Sequence, residues 1–157
     1  RMHFENKPFD LKASLLGSVE DFQAAAKAKG LALECRAPEG TVTIQGDEQK
    51  FRQHVIRNLL DNAIRYTPRG WVRATLEKTP AGVRLSVKDS GVGIAPADTE
   101  GLFVEGGKGA HSTSINPEST GYGLFVAKTV VEAHGGTIRA ESAGTGKGAE
   151  FIVELSA

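Results

Sequence analysis

The chain has 157 residues, of which 39% are hydrophobic and 24% charged, a composition typical of a soluble globular domain with a sizeable core. Its 19 basic and 19 acidic residues cancel and form no Lys/Arg cluster, which argues against a nucleic-acid partner. No apolar run approaches the roughly 20 residues that cross a bilayer, and no signal peptide is recognisable, so we expect a cytoplasmic chain without membrane contact. The single cysteine, Cys35, excludes an internal disulfide and a thiolate metal cluster.

The N-terminal third is predicted to contain one helix and two short strands. Residues 1–9 are expected to be an irregular or extended lead-in. Asp10 then caps a helix that runs to about residue 29, where a glycine provides the stop signal. Strands at 31–36 and 41–44 flank a Pro-Glu-Gly turn.

A longer helix is predicted at residues 47–68, with Asp47 as its N-cap and a Thr-Pro pair as its end. At about 100° per residue, one side should face a core, and it is formed by Ile56, Leu60 and Ala63, flanked by Leu59 and Ile64. The opposite side gathers, within an arc of roughly 100°, Asn58, Asn62, Arg65 and Tyr66. Two amides, a cation and an aromatic ring on one face could hold a metal, a phosphate and a flat ring. An ordinary solvated face is the alternative for this helix taken alone.

The second half of the chain is predicted to contain a hairpin, a long polar segment, a helix and two strands. In chain order these are 71–77 with 83–89, 90–121, 122–134, and 137–141 with 149–155, the last two strands being joined by a glycine-rich turn. Only an apolar island at 102–104 interrupts the polar segment. A segment of this length without clear secondary structure is usually functional or disordered.

Two glycine motifs bound the polar segment. The first, Asp89-Ser90-Gly91-Val92-Gly93-Ile94, places a carboxylate at the end of a strand, followed by glycines that let the backbone approach a ligand. That carboxylate could accept a hydrogen bond from the exocyclic amine of adenine, although a simple turn is the alternative. The second motif, Gly121-Tyr122-Gly123-Leu124, opens a helix whose free N–H groups and dipole favour a phosphate. The chain has no G-x-x-x-x-G-K-[ST] sequence, so it is not a Walker-type ATPase.

Taken in this order, the motifs resemble those of the ATP-binding catalytic domain of sensor histidine kinases. RNLLDNAIRYTP is similar to that family's N box, DSGVGI to its first glycine box, LFVEGGKG to its phenylalanine box and STGYGLFVAK to its second glycine box. HGGTIRAES and GTGKGAEF continue the likeness, which covers residues 10–155. The resemblance implies the Bergerat fold, a two-layer α/β sandwich with helices packed on one face of a mixed sheet.

The resemblance also implies a role for each matched residue, with ATP and Mg²⁺ as cofactors. Asn62 would ligate Mg²⁺ with help from Asn58, and Arg65 would approach the phosphates. Lys108 is a candidate for a γ-phosphate contact, with a solvated loop lysine as the alternative; these four are the expected catalytic residues. Residues from about 103 to 120 would form a lid over ATP. The remaining expected nucleotide contacts are Tyr66 (stacked on adenine), Asp89 (reading its amine), Gly91, Gly93, Ile94, Phe103, Thr120, Gly121, Tyr122, Gly123 and Leu124.

Asn58 distinguishes a histidine kinase from other enzymes that resemble the same fold. Several relatives of the same fold carry a glutamate, which acts as a base, at the position of Asn58. These relatives are the gyrase, mismatch-repair and heat-shock ATPases and the serine kinases that inhibit sigma factors. A histidine imidazole is already a nucleophile and needs no strong base, so Asn58 favours transfer to histidine with poor hydrolysis. A Bergerat-fold ATPase or serine kinase, and a degenerate nucleotide-binding scaffold, are the alternatives.

The phosphoacceptor histidine is missing from this chain. In the family it is followed by an acid and, a few residues on, by a proline, and none of the four histidines here has that context. The expected partner is therefore the dimerisation and phosphoacceptor domain of the same kinase and, indirectly, a response regulator. We expect residues 1–9 to lead in from that upstream domain and residues 10–157 to form the ATP-binding domain. The sequence leaves open whether the parent protein is anchored in a membrane.

Overall fold

The computed structural model describes residues 3–98, 101–104 and 122–156. Within these ranges a sheet carries helices on one face, and none of the helices is long and apolar enough to span a membrane. The helices are α1 (Leu11–Ala28), α2 (Glu48–Phe51), α3 (Arg57–Arg65) and α4 (Tyr122–Ala133), with a π-helical turn (Arg52–Ile56) between α2 and α3 and a 3₁₀ turn at Pro96–Asp98. The strands are β1 (Lys7–Asp10), β2 (Ala32–Arg36), β3 (Thr43–Gly46), β4 (Trp71–Thr79), β5 (Gly82–Asp89), β6 (Thr137–Glu141) and β7 (Ala149–Ser156).

The main sheet has five strands in the order β2-β4-β5-β7-β6. β2 runs parallel to β4, whereas the other neighbours are antiparallel, and β4 and β5 form the predicted hairpin. Alternation along β4 explains why one face is covered by helices, because Val72, Ala74 and Leu76 are at most 2% exposed while the residues between them are partly exposed. The predicted fold class, a mixed sheet with helices packed on one face, is confirmed.

The opposite face of the sheet carries charged side chains that pair across the strands. Arg84 bonds Glu154 at 2.7 Å between the guanidinium and the carboxylate, and Arg73 bonds Glu34 at 3.2 Å. The Arg73 guanidinium also lies 4.8 Å from the centroid of the Trp71 ring. These pairs lie on neighbouring strands, so long polar side chains cover this face instead of helices.

Residues 7–9 of the expected lead-in are extended but not irregular. β1 pairs antiparallel with β3 in a separate two-stranded sheet, with Phe9 opposite Ile44. Phe9 also packs against Phe51, with 6.3 Å between the ring centroids. β2 and β3, which flank the predicted turn, therefore pair with different partners rather than with each other. Whether an upstream domain precedes the lead-in stays a prediction.

The predicted long helix begins at its expected cap, because Oδ1 of Asp47 accepts the Lys50 N–H at 3.0 Å. Its apolar side is buried as expected, with at most 5% exposure at Ile56, Leu59, Leu60, Ala63 and Ile64. The π-helical turn was not predicted. In it the Arg57 N–H bonds the carbonyl of Arg52, five residues earlier instead of four.

The C-terminal end of α4 is fixed to the start of α2 through His134. Nε2 of His134 accepts the Asp47 N–H at 3.0 Å, and Nδ1 lies 2.8 Å from the carbonyl oxygen of Val130. A nitrogen that accepts an N–H carries no proton, so Nδ1 is the donor and the ring is neutral in this arrangement. The helical segment from α2 through the π-helical turn to α3 is called the central helix below. The His134 contacts hold the C-terminal end of α4 against the start of this helix, whereas the glycine motif lies at the other end of α4.

Candidate functional site

The end of α3 and the first glycine motif are joined through their backbones. The carbonyl oxygen of Tyr66 accepts the Val92 N–H at 3.0 Å. A Cβ atom on Gly91 would overlap that same oxygen and lie 2.7 Å from Oγ1 of Thr67. The Thr67 side chain is fully buried, and its hydroxyl donates to the carbonyl of Ala63 at 2.7 Å. Gly91 is therefore required by the close approach of the protein's own helix.

Asp89 is buried, with 5% exposure, at the end of β5. Its Oδ1 accepts the N–H of Gly91 at 2.8 Å and the N–H of Ala149 at 3.2 Å. No described residue donates to Oδ2, which leaves that oxygen as an acceptor for a ligand. Burial raises the pKa of Asp89 to about 6, against the opposing effect of the two N–H donors.

The Asn58 amide links the central helix to the start of α4. Its Nδ2 donates to the carbonyl of His54 at 2.7 Å and to the carbonyl of Gly123 at 3.2 Å. Both partners are acceptors, so the orientation of the amide is determined, and no described residue donates to Oδ1. A Cβ atom on Gly123 would lie 3.6 Å from this oxygen, so a larger side chain there would begin to cover it.

Asn62 and Arg65 lie further along the same helix. The Asn62 side chain is half-buried and makes no hydrogen bond to the described residues. Arg65 is exposed, and its Nε lies 2.9 Å from Oδ2 of Asp61. An exposed pair of this kind contributes at most about 1 kcal/mol, so the guanidinium could exchange the carboxylate for a phosphate at little cost.

Tyr66 directly follows α3 as its C-terminal cap and is half-buried. Its hydroxyl is buried and has no hydrogen-bond partner in the described part of the chain. A buried hydroxyl without a partner is uncommon.

Gly93 faces the loop between β6 and β7 rather than open space. Its φ is +75°, and a Cβ atom there would overlap the carbonyl oxygen of Gly144. The N–H of Gly146 also bonds the carbonyl of Val92 at 2.6 Å. The neighbouring Ile94 is half-buried against the core. The second glycine of the motif is thus also explained by protein packing.

The remaining predicted residues fall into two groups. Phe103 packs against Phe151, with 6.1 Å between ring centroids, and Leu124 is half-buried against the core. The other predictions, Lys108, Thr120, Gly121 and the side chain of Tyr122, lie outside the described residues.

Residues 46–157 match the family described as "Histidine kinase-, DNA gyrase B-, and HSP90-like ATPase". The chain belongs to this family. It is 34% identical over 161 residues to the sensor protein GacS of Pseudomonas syringae pv. syringae, covering 99% of this chain and 18% of that protein. It is 38% identical over 139 residues to the adaptive-response sensory kinase SasA of Synechococcus sp. (strain JA-3-3Ab), covering 87% and 36%. The chain therefore spans a minor part of these curated relatives.

Solved structures agree with this assignment. The catalytic domain of histidine kinase ThkA superposes with a TM-score of 0.82 at 25% identity, covering 99% of this chain and 98% of that one. Full-length ShkA in complex with AMPPNP superposes with a TM-score of 0.82 at 28% identity, covering 99% and 32%. The resemblance inferred from the motifs is confirmed, and membership of an ATPase family supports ATP as the nucleotide.

The residues of this ATPase-family chain fit a nucleotide with a divalent cation. Asn58 and Asn62 offer amide oxygens that no described residue uses, and oxygen atoms are the ligands that Mg²⁺ prefers. Such an ion needs only one or two protein oxygens when phosphates supply others. No group of three or more His, Cys, Asp and Glu residues capable of holding a metal occurs in the described ranges.

Sequence reasoning missed two residues that contact the elements of the candidate site. Nζ of Lys29 donates to the carbonyls of Ile64 at 2.7 Å and Arg65 at 3.3 Å, so the cation that directly follows α1 caps the end of α3. The Ser142 hydroxyl accepts the N–H of Ile94 at 3.1 Å. Neither residue lies in a motif that bears chemistry, and the only available signals were a lysine at a helix end and a serine before a glycine-rich turn.

Proposed function

We propose that this domain binds Mg-ATP and donates the γ-phosphoryl to a histidine on a separate helical-hairpin domain, as the catalytic part of a sensor histidine kinase. The observation that carries the proposal is the oriented Asn58 amide, whose oxygen lies near the first turn of α4 and accepts from none of the residues that the structure describes. The named relatives support it, since GacS is called a sensor protein, SasA a sensory kinase and ThkA a histidine kinase. In two-component signalling the phosphoryl group would then reach a response regulator.

The nucleotide would lie between the central helix and the two glycine motifs. Asn62 and Asn58 would supply oxygen ligands to Mg²⁺, and Arg65 and Lys108 would contact the phosphates. Oδ2 of Asp89 would accept the adenine amine, and the Tyr66 ring would stack on the base. The backbone of residues 120–124 would meet the phosphates at the start of α4.

The chemistry left to the chain is positioning and charge neutralisation. An amide cannot accept a proton as a glutamate does, and both hydrogens of Asn58 Nδ2 already have carbonyl partners. Water would therefore meet no activating base at this position, whereas an imidazole attacks without one. Transfer to histidine with slow hydrolysis follows from the same side chain.

Calorimetric titration with a non-hydrolysable ATP analogue, with and without Mg²⁺, tests the binding part. We expect Mg-dependent binding that Asn62→Ala weakens by at least about tenfold, because a metal ligand is lost. Gln53→Ala, at an exposed position of the same central helix, is the matched control and should bind normally. A folded protein that binds no nucleotide would overturn the proposal and favour a scaffolding module.

A second assay tests the acceptor. Mixed with a helical-hairpin domain from a sensor kinase, the wild-type chain and radiolabelled ATP should label that domain on histidine. Phosphate release without the hairpin should stay slow. Rapid release, or labelling on serine, would support a hydrolase or a serine kinase instead.

A further inference from the structure

The hydroxyl of Ser142 uses its full hydrogen-bonding capacity on the backbone. It accepts the N–H of Ile94 and the N–H of Gly144, each at 3.1 Å, and lies 2.6 Å from the carbonyl oxygen of Gly148, to which it donates. A serine hydroxyl has one donor and two acceptor positions, so none is left for solvent or ligand. Ser142 therefore closes the β6–β7 loop on itself and joins it to the first glycine motif.

Three further hydrogen bonds continue this connection toward Asp89. The N–H of Gly146 bonds the Val92 carbonyl at 2.6 Å, and the N–H of Gly148 bonds the Gly91 carbonyl at 3.1 Å. The N–H of Ala149 bonds Oδ1 of Asp89 at 3.2 Å. Residues 142–149 and 89–94 thus form a ladder of four bonds, with Ser142 at one end and Asp89 at the other.

The two segments are also in close steric contact. A Cβ atom on Gly148, whose φ is +75°, would overlap the carbonyl oxygen of Asp89, as a Cβ atom on Gly93 would overlap that of Gly144. Neither glycine therefore has room for a side chain, and the two segments lie backbone against backbone. The β6–β7 loop therefore packs directly against the end of β5 that carries Asp89, a residue that the sheet already pairs with Val72 and Ala149.

We propose that Ser142 is a positioning residue for recognition of the nucleotide base. By holding the loop and Ile94 in place, it keeps Oδ1 of Asp89 on its two N–H donors and Oδ2 directed to the ligand. This inference rests on the proposed function, because it assigns Oδ2 to the adenine amine. Guanine carries a carbonyl oxygen at that position, so a fixed carboxylate discriminates against it.

The test is the ratio of ATP to GTP affinity, measured on the wild-type chain, Ser142→Ala and Ser142→Thr. We expect Ser142→Ala to reduce this ratio by about tenfold, on the scale of one or two lost hydrogen bonds. Ser142→Thr keeps the hydroxyl and should restore the ratio. A purely structural role would lower stability or both affinities by one factor and leave the ratio unchanged.

Lys147→Ala is the control for direct contact, since Lys147 is the exposed cation of the same loop. Lys147→Ala should leave the ratio of ATP to GTP affinity unchanged. A direct contact from this lysine would be to the phosphates, which ATP and GTP share, so it would not distinguish adenine from guanine. If the wild-type chain and the Ser142→Ala chain prefer ATP over GTP equally, the positioning role of Ser142 is overturned and the proposed function is not. A wild-type chain that binds neither nucleotide would overturn the proposed function and this inference with it.

Discussion

Asp89→Asn should make the free domain more stable while it weakens ATP binding. The buried carboxylate has a pKa of about 6, raised from an ordinary value of 3.8, and this difference corresponds to roughly 3 kcal/mol at pH values above both. An asparagine keeps Oδ1 for the N–H groups of Gly91 and Ala149 and removes the buried charge. It also places an NH₂ group where Oδ2 would accept the adenine amine, so two donors would face each other.

The sign of the pH dependence follows from the raised pKa. Below about pH 4 the carboxyl is protonated in the folded and unfolded chains, so the charge costs nothing. Between about pH 4 and pH 6 the unfolded chain has released this proton while the buried carboxyl of the folded chain still holds it, so the wild-type chain loses stability as the pH rises, and the loss levels off above about pH 6. The variant should therefore exceed the wild type by up to about 3 kcal/mol at pH 8, and by about half of that at pH 5.

Urea unfolding between pH 5 and pH 8 measures this difference, with the fluorescence of the single tryptophan, Trp71, as the signal. Glu39→Gln is the matched control, because it makes the same change at an exposed carboxylate and should show no such dependence on pH. An Asp89→Asn chain that is less stable than the wild type at pH 8 would refute the reasoning. So would a stability difference that stays constant over the pH range.

Three further substitutions test the packing around the site by urea unfolding. Gly91→Ala should lower the free energy of unfolding by more than about 2 kcal/mol, because the added methyl group overlaps a backbone oxygen. Gly17→Ala is the control: this glycine faces open space in a helix, and the change should stabilise by up to about 1 kcal/mol. Similar effects of the two substitutions would contradict the packing argument. Lys29→Met should cost about 0.5–1 kcal/mol by uncapping α3. Lys78→Met, at an exposed position of β4, is the neutral control, and equal losses would exclude the capping role. Ser18→Ala should retain or raise stability, since its hydroxyl is buried without a partner in the described residues; a loss above about 1 kcal/mol would contradict this.

The sequence determined the elements whose cause is local. Asp10 and Asp47 were predicted as N-caps, and each accepts a backbone N–H in the first turn of its helix. The apolar side of the central helix and the β4–β5 hairpin follow from periodicity and turn residues that neighbours in the chain supply. The motifs in their order also sufficed to identify the family.

Only the tertiary structure decided how these elements are joined. The pairing of β1 with β3, the cap that Lys29 places on α3, and the ladder between 89–94 and 142–149 connect residues that are far apart in the chain. Most of these bonds use backbone N–H and carbonyl groups, which every residue carries, so side-chain identity gives no signal for them. The glycines were predicted to admit a ligand, whereas the positions of Gly91 and Gly93 are explained first by the approach of the protein's own backbone.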